Sequence, residues 1–199
     1  MANANIARGL IPVRHRNGAP YTGAASVYHV PASYATALYV GDPVIIVTDA
    51  SDANGIPTVA RATAAGGAYT IGPIIGMASA GDPPTINTQD KPTYHAASTL
   101  GYVMVADDPD LLFEIQEDSV GGVMTVGAAG RNADFIAGTG STTSGYSGFM
   151  LDSSTLATTN TLQLRIVGPV QRADNDPTLD YAKWLVAINL HSFRNLTGV

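Results

Sequence analysis

The chain has no cysteine, which excludes disulfides, thiolate metal sites and cysteine nucleophiles. It is also poor in charge. Charged residues make up 13% of its 199 residues, against roughly 25% in a typical soluble domain. A monomer needs a charged skin to stay in solution. A chain this sparsely charged is expected to hide part of its surface in lasting contacts with other chains; the other solution is a monomer surfaced with Ser, Thr, Gly and Asn. Long apolar runs are missing too: none approaches the ~20 residues of a membrane helix. Met1 to Gly18 lacks the apolar stretch of a secretory signal. These absences predict a soluble protein made in a cytoplasm, with no membrane partner.

The charge that is present is unevenly placed. Up to Val40 the formal charges are Arg8, Arg14 and Arg16, giving +3, whereas all 16 acids lie from Asp42 onward. A formal net charge of −6 argues against nucleic acid as the main ligand, because phosphate binding needs a basic surface. The pattern describes a basic N-terminal arm on an acidic body.

Period-two alternation dominates the body and implies strands with one packed face. In Asp180–His191, Trp184, Val186, Ile188 and Leu190 share a face. In Thr161–Val167 the apolar set is Leu162, Leu164 and Ile166; in Leu111–Glu117 it is Leu111, Phe113 and Ile115. Val44–Val47 and Tyr102–Val105 are apolar on both sides and read as central or interface strands. Gly41-Asp42-Pro43, Asn54-Gly55, Asp82-Pro83-Pro84 and Asp107-Asp108-Pro109 are turn signals. No stretch sustains helical periodicity; Ser119–Val126 and Thr178–Leu185 are the only short helix candidates, and Gly121-Gly122 weakens the first. The expected architecture is all-β, a jelly-roll-like sandwich or barrel. Residues 1–26 are expected to form an extended arm and residues 27–199 a single domain. Gly138–Gly148, rich in Gly, Ser and Thr, reads as an exposed, mobile loop.

No catalytic constellation emerges. Gly145-Tyr146-Ser147-Gly148-Phe149 begins like a nucleophile elbow but ends on Phe149, outside the required strand-turn-helix setting. His15, His29, His95 and His191 are scattered, without the spacing of a metal-binding helix. Asp49–Gly55 lacks the ligand pattern of a calcium loop. The acids at 107–110 and 174–176 sit beside prolines, where Asp and Asn favour turns by bonding their own backbone. The reading is therefore no enzyme, no metal and no cofactor.

Several segments carry a family resemblance. Gly9-Leu10-Ile11-Pro12-Val13-Arg14-His15-Arg16-Asn17-Gly18-Ala19-Pro20 is followed by Tyr28-His29-Val30-Pro31 and Ala37-Leu38-Tyr39-Val40-Gly41-Asp42-Pro43-Val44. Leu112-Phe113-Glu114-Ile115-Gln116, Arg165-Ile166-Val167-Gly168 and Asn189-Leu190-His191 come later. This series, spanning most of the chain, resembles the cement or head-decoration proteins of tailed bacteriophages. The resemblance implies a virion protein on the capsid exterior, a homodimer (or, as in other decoration proteins, a trimer), that bridges major capsid subunits without catalysis. The expected contacts with the capsid protein are Ile6, Arg8, Leu10, Ile11, Arg14 and Arg16, the arm lying across a neighbour with its arginines on carboxylates. The competing reading is a virion-surface module that binds carbohydrate or a cell surface, which would need exposed aromatics on a concave face.

Overall fold

The computed structural model describes residues 2–78 and 92–194; the Asp82-Pro83-Pro84 break lies outside them. Among the described residues the protein is all-β, with a few short 3₁₀ turns and no α-helix. Two strand systems carry the fold. One comprises β1 (Ile11–His15), β7 (Leu111–Gln116), β12 (Lys183–Ile188), β11 (Leu164–Pro169) and β8 (Asn132–Ala133), hydrogen-bonded in that order as an antiparallel five-stranded sheet. The other is a closed barrel of β2 (Ser26–Val30), β4 (Pro57–Arg61), β3 (Pro43–Ser51), β5 (Gly72–Ala78) and β6 (Gly101–Val105), again in that order. A small ribbon pairs β9 (Phe135–Ile136) with β10 (Met150–Leu151).

Local chemistry explains these elements. The β-branched run Val44–Val47 suits β3. The turn that follows is closed by the Asp52 carboxylate, which accepts the backbone N–H of Asn54 at 2.9 Å and of Ile56 at 2.8 Å. Gly55 takes the positive φ of +81° that the turn requires. The barrel seam is the parallel contact of β2 with β4 at His29 and Thr58, whose Nδ1 and Oγ1 atoms lie 2.9 Å apart.

Each system has its own core. Beneath the sheet lie Trp184, Phe113, Ile115, Leu164, Ile166 and Ile188, all buried together with Phe135 and Phe149. These first six are the inward faces expected from alternation. The barrel encloses Val30, Leu38, Val44, Val59, Ile74 and Val103.

Three expectations need correction. Residues 2–20 do not form an extended arm outside the core: β1 pairs with β7, Leu10 is buried in the sheet core, and Arg16–Gly18 turn the chain back so that Pro20 bridges Arg14. The physical reason is a close approach. Gly9, at φ +68°, packs so tightly that a Cβ there would lie 2.1 Å from the Gly41 carbonyl oxygen, which draws Leu10 inward. The two helix candidates are not helical: Ser119–Val126 forms a loop ending in a 3₁₀ turn, and Thr178–Leu185 is a turn leading into β12. The Gly138–Gly148 segment is exposed at Thr139, Ser141–Ser144 and Tyr146, as expected, but it is anchored: Gly145, Ser147 and Gly148 are buried, and a Cβ at Gly138 would meet the Gly148 oxygen at 2.0 Å. Its glycines permit packing of backbone on backbone.

Candidate functional site

The N-terminal segment is laid along the sheet edge by polar clasps. The Asn3 amide donates to the Asp176 and Asp180 carbonyls at 2.8 and 2.9 Å. The Ile6 N–H donates to Gln116 Oε1 at 2.8 Å, and Gln116 Nε2 donates to Asn5 Oδ1 at 2.9 Å. Leu10 N–H donates to the Gly41 carbonyl at 3.0 Å. Beyond β1, the backbone N–H of His15 reaches Ala19 and that of Arg16 reaches Asp110, both at 2.8 Å. Gln116 is thus the bracket that holds the start of the segment on β7.

Along this edge the three arginines stand apart from every other described cation. Arg8, Arg14 and Arg16 are exposed, and among the described residues their guanidinium groups have no carboxylate or hydrogen-bond partner. Arg8 is stacked over the Tyr146 ring, 5.0 Å from its centroid. The remaining described Lys and Arg are all engaged. Arg61 donates to Gly138, Arg131 to the Leu156 carbonyl and Arg165 to Asn132. Arg172 grips Glu114 with two nitrogens and also Asp174, Lys183 reaches Asp174, and Arg194 reaches Asp110.

Two grooves flank the segment. One, of about 440 Å³, lies toward the outer face of the sheet beside Ile6, Glu114, Gln116 and the Arg172–Asp174 pair. Arg172 and Lys183 are paired there with Glu114 and Asp174, and Arg8, which also lines this groove, is left as its unpaired cation among the described residues. The other, of about 360 Å³, lies between β1 and the barrel and is lined by Leu10, Tyr21, Val40, Ile75 and Tyr146, with Arg8 at its rim.

Of the six residues expected to face a partner, Ile6, Arg8, Arg14 and Arg16 are exposed and Ile11 is half-buried. Leu10 is only 1% exposed and is a core residue, which corrects its assignment as a partner contact. Tyr146 and Gln116 were missed as parts of this edge. Tyr146 had shown only as a loop aromatic, and nothing local pairs it with Val40, its bridge partner across more than a hundred residues.

Several groups capable of other chemistry are tied into the fold. Ser147 is buried and its Oγ accepts the Phe149 N–H at 3.0 Å. Asp42 is fully buried; burial raises its carboxyl above the usual range, opposed by hydrogen bonds from Ser147 and the Tyr39 N–H and by Arg61. Burial also pushes His191 down to about 4, aided by Arg194, and lowers His95. The acidic clusters fold into turns: Asp108 accepts the Asp110 N–H at 2.7 Å and Asp176 accepts that of Thr178 at 3.0 Å. Among the described residues no three His, Asp or Glu side chains converge as metal ligands. Neither a family model, nor a curated protein, nor a solved structure matches this chain.

Proposed function

We propose that this chain is a capsid cement protein of a tailed bacteriophage, docking on the outside of the head through its N-terminal edge and bridging major capsid subunits. The observation that carries the reading is the set of three unpaired, exposed arginines on an otherwise acidic, charge-poor chain. Cations left without internal partners among the described residues, where every other described Lys and Arg is engaged, suit carboxylates on another surface. The resembling segments add to it, since three of them run through this edge and the adjoining 37–44 turn.

The protein acts by binding energy alone. Contacts present only in the mature lattice favour that lattice by mass action, and many modest contacts over a shell give avidity. The low charge fraction supports a homodimer, with a trimer as the other closed arrangement. A carbohydrate-binding role draws less support. Trp184 and Tyr102 are buried and Tyr94 is stacked on Tyr39, leaving the exposed Tyr69 and Phe193 and the Arg8-covered Tyr146.

The test is co-sedimentation of the full chain with expanded and unexpanded shells. Selective binding to expanded shells, weakened by combined Arg8→Glu, Arg14→Glu and Arg16→Glu and by rising salt, is the expected result. Equal decoration by the triple variant at low salt would refute the assigned face.

A further inference from the structure

We propose that the apolar groove between β1 and the barrel receives an extended acidic segment of the partner polypeptide, an apolar side chain seated on the groove floor and a neighbouring carboxylate on Arg8. This rests on the reading of the N-terminal edge as a docking face and names what that face takes.

The floor is permanently apolar. Leu10 and Ile74 are buried there, and Ile75, which lines the groove, also packs against the sheet core. Tyr21 and Tyr146 form the walls. A volume of about 360 Å³ accommodates side chains of a peptide better than a nucleic-acid backbone, which would bring phosphates onto an apolar surface beside a net-acidic body. Arg8 closes the rim. Its stacking on Tyr146 restrains the guanidinium and leaves its hydrogen-bonding edge toward solvent, so less side-chain freedom is lost when a carboxylate arrives. Arg14 lies further along the segment, past the positive-φ Gly9 and the register shift between Pro12 and Arg14, and lines no part of this groove. The groove therefore selects a segment with a large apolar residue beside an acid, and Arg8 is the cation that reads it. Charge complementarity chooses the acidic class: among the described residues the three cations on this edge have no partner of their own.

The experiment pans a bead-displayed library of random capped nine-residue peptides with the intact protein. Enriched sequences are expected to combine Leu, Ile, Met or Phe with Asp or Glu. Their affinity should fall about tenfold or more for Arg8→Ala, since each tenfold is one lost charge-assisted contact of ordinary strength. Arg8→Lys, which keeps the charge and loses the planar fork, should fall between. Tyr146→Ala should weaken binding and Arg165→Ala, on the sheet, should leave it unchanged. Arg8 and Tyr146 are exposed, and circular dichroism verifies that the variants fold. Enrichment of basic or uncharged sequences, no enrichment, or binding indifferent to Arg8→Ala would overturn the proposal. The two readings fail separately. Shell binding without selection of acidic peptides removes the groove assignment and leaves the cement role. Selection of acidic peptides without shell binding does the reverse.

Discussion

At the end of β7, Glu117 withdraws its carboxyl fully from water. Oε2 accepts the Met124 N–H at 3.2 Å, while Oε1 has no partner among the described residues. Burial raises this carboxyl from 4.5 to about 7; the Met124 and Ala182 backbone contacts oppose the rise, and the charges of Asp118 and Asp180 add to it. A raised carboxyl means the folded state binds the proton more tightly than the unfolded chain. Its stabilising contribution is therefore complete below the ordinary carboxylate range and is lost as pH rises through about 7. The displacement corresponds to about 3 kcal/mol at full effect. His191 and His95 work against it. Their lowered values give stability above the usual imidazole range that is lost as pH falls, so the raw pH profile mixes opposing slopes. The useful quantity is the difference between wild type and Glu117→Gln. Gln should be increasingly favoured from pH 5 to 7 and the gap should level off above about pH 8. Urea melts across that range measure it, and a difference independent of pH would show that Glu117 is solvated.

Among the elements, legibility followed locality. The alternating faces of β7, β11 and β12 were readable because a two-residue period survives wherever one face meets a core; Phe113, Ile115, Leu164, Ile166, Trp184 and Ile188 are buried as marked, whereas Leu162 and Leu190 are half-buried and Leu112, Gln116 and Ala187 on the opposite faces are buried too. The Asp52–Gly55 turn was readable for the same reason, since its bonds span at most four residues. The N-terminal edge was only half legible. Its arginines stand out in the sequence. The burial of Leu10 does not, because it depends on Gly9 meeting Gly41 some thirty residues away. The same holds for Gly138–Gly148, whose glycines serve contacts with Tyr39, Thr93 and one another, and for Tyr146. The corrected arm predicts two different truncations. Deleting residues 2–7 removes only exposed or half-buried side chains and should leave the melting curve nearly in place. Deleting residues 2–15 also removes Leu10 and β1. Loss of a buried leucine side chain alone costs about 2–5 kcal/mol, and β7 would become an open edge. Thermal melts of the two truncated chains distinguish these cases. Equal melting temperatures would mean that Leu10 does not complete the sheet core.

For the whole molecule the question is whether a barrel and a sheet with separate cores behave as one cooperative unit. Several ties bind them. Arg61, on β4, lies over the Phe149 ring at 4.6 Å and so joins the barrel wall to the sheet core. Thr70 exchanges backbone bonds with Leu190 and Ser192, both at 3.0 Å, just beyond β12. Gln163 Nε2 donates to the Thr63 carbonyl at 2.9 Å, and Ile75 and Ala64 pack against the sheet core. Gly72 approaches the Ala106 oxygen so closely that a Cβ would lie 2.0 Å from it, locking β5 to the link between β6 and β7. Losing either core would strip partners from the other, which makes an isolated half a poor intermediate. The chain carries its own reporters. Trp184 is the sole tryptophan and sits in the sheet core; among the tyrosines Tyr28 packs in the barrel core and Tyr34 against it, while Tyr21 packs against the sheet core, so the tyrosine signal spans both. In urea, tryptophan fluorescence and the tyrosine near-ultraviolet dichroism should therefore change with the same midpoint, as two-state unfolding requires. Arg61→Ala, which removes the contact with Phe149, the bond to Gly138 and the charge opposite Asp42, should lower both midpoints together. Transitions that separate in the wild type would show that the barrel and the sheet are independent units joined only by the chain.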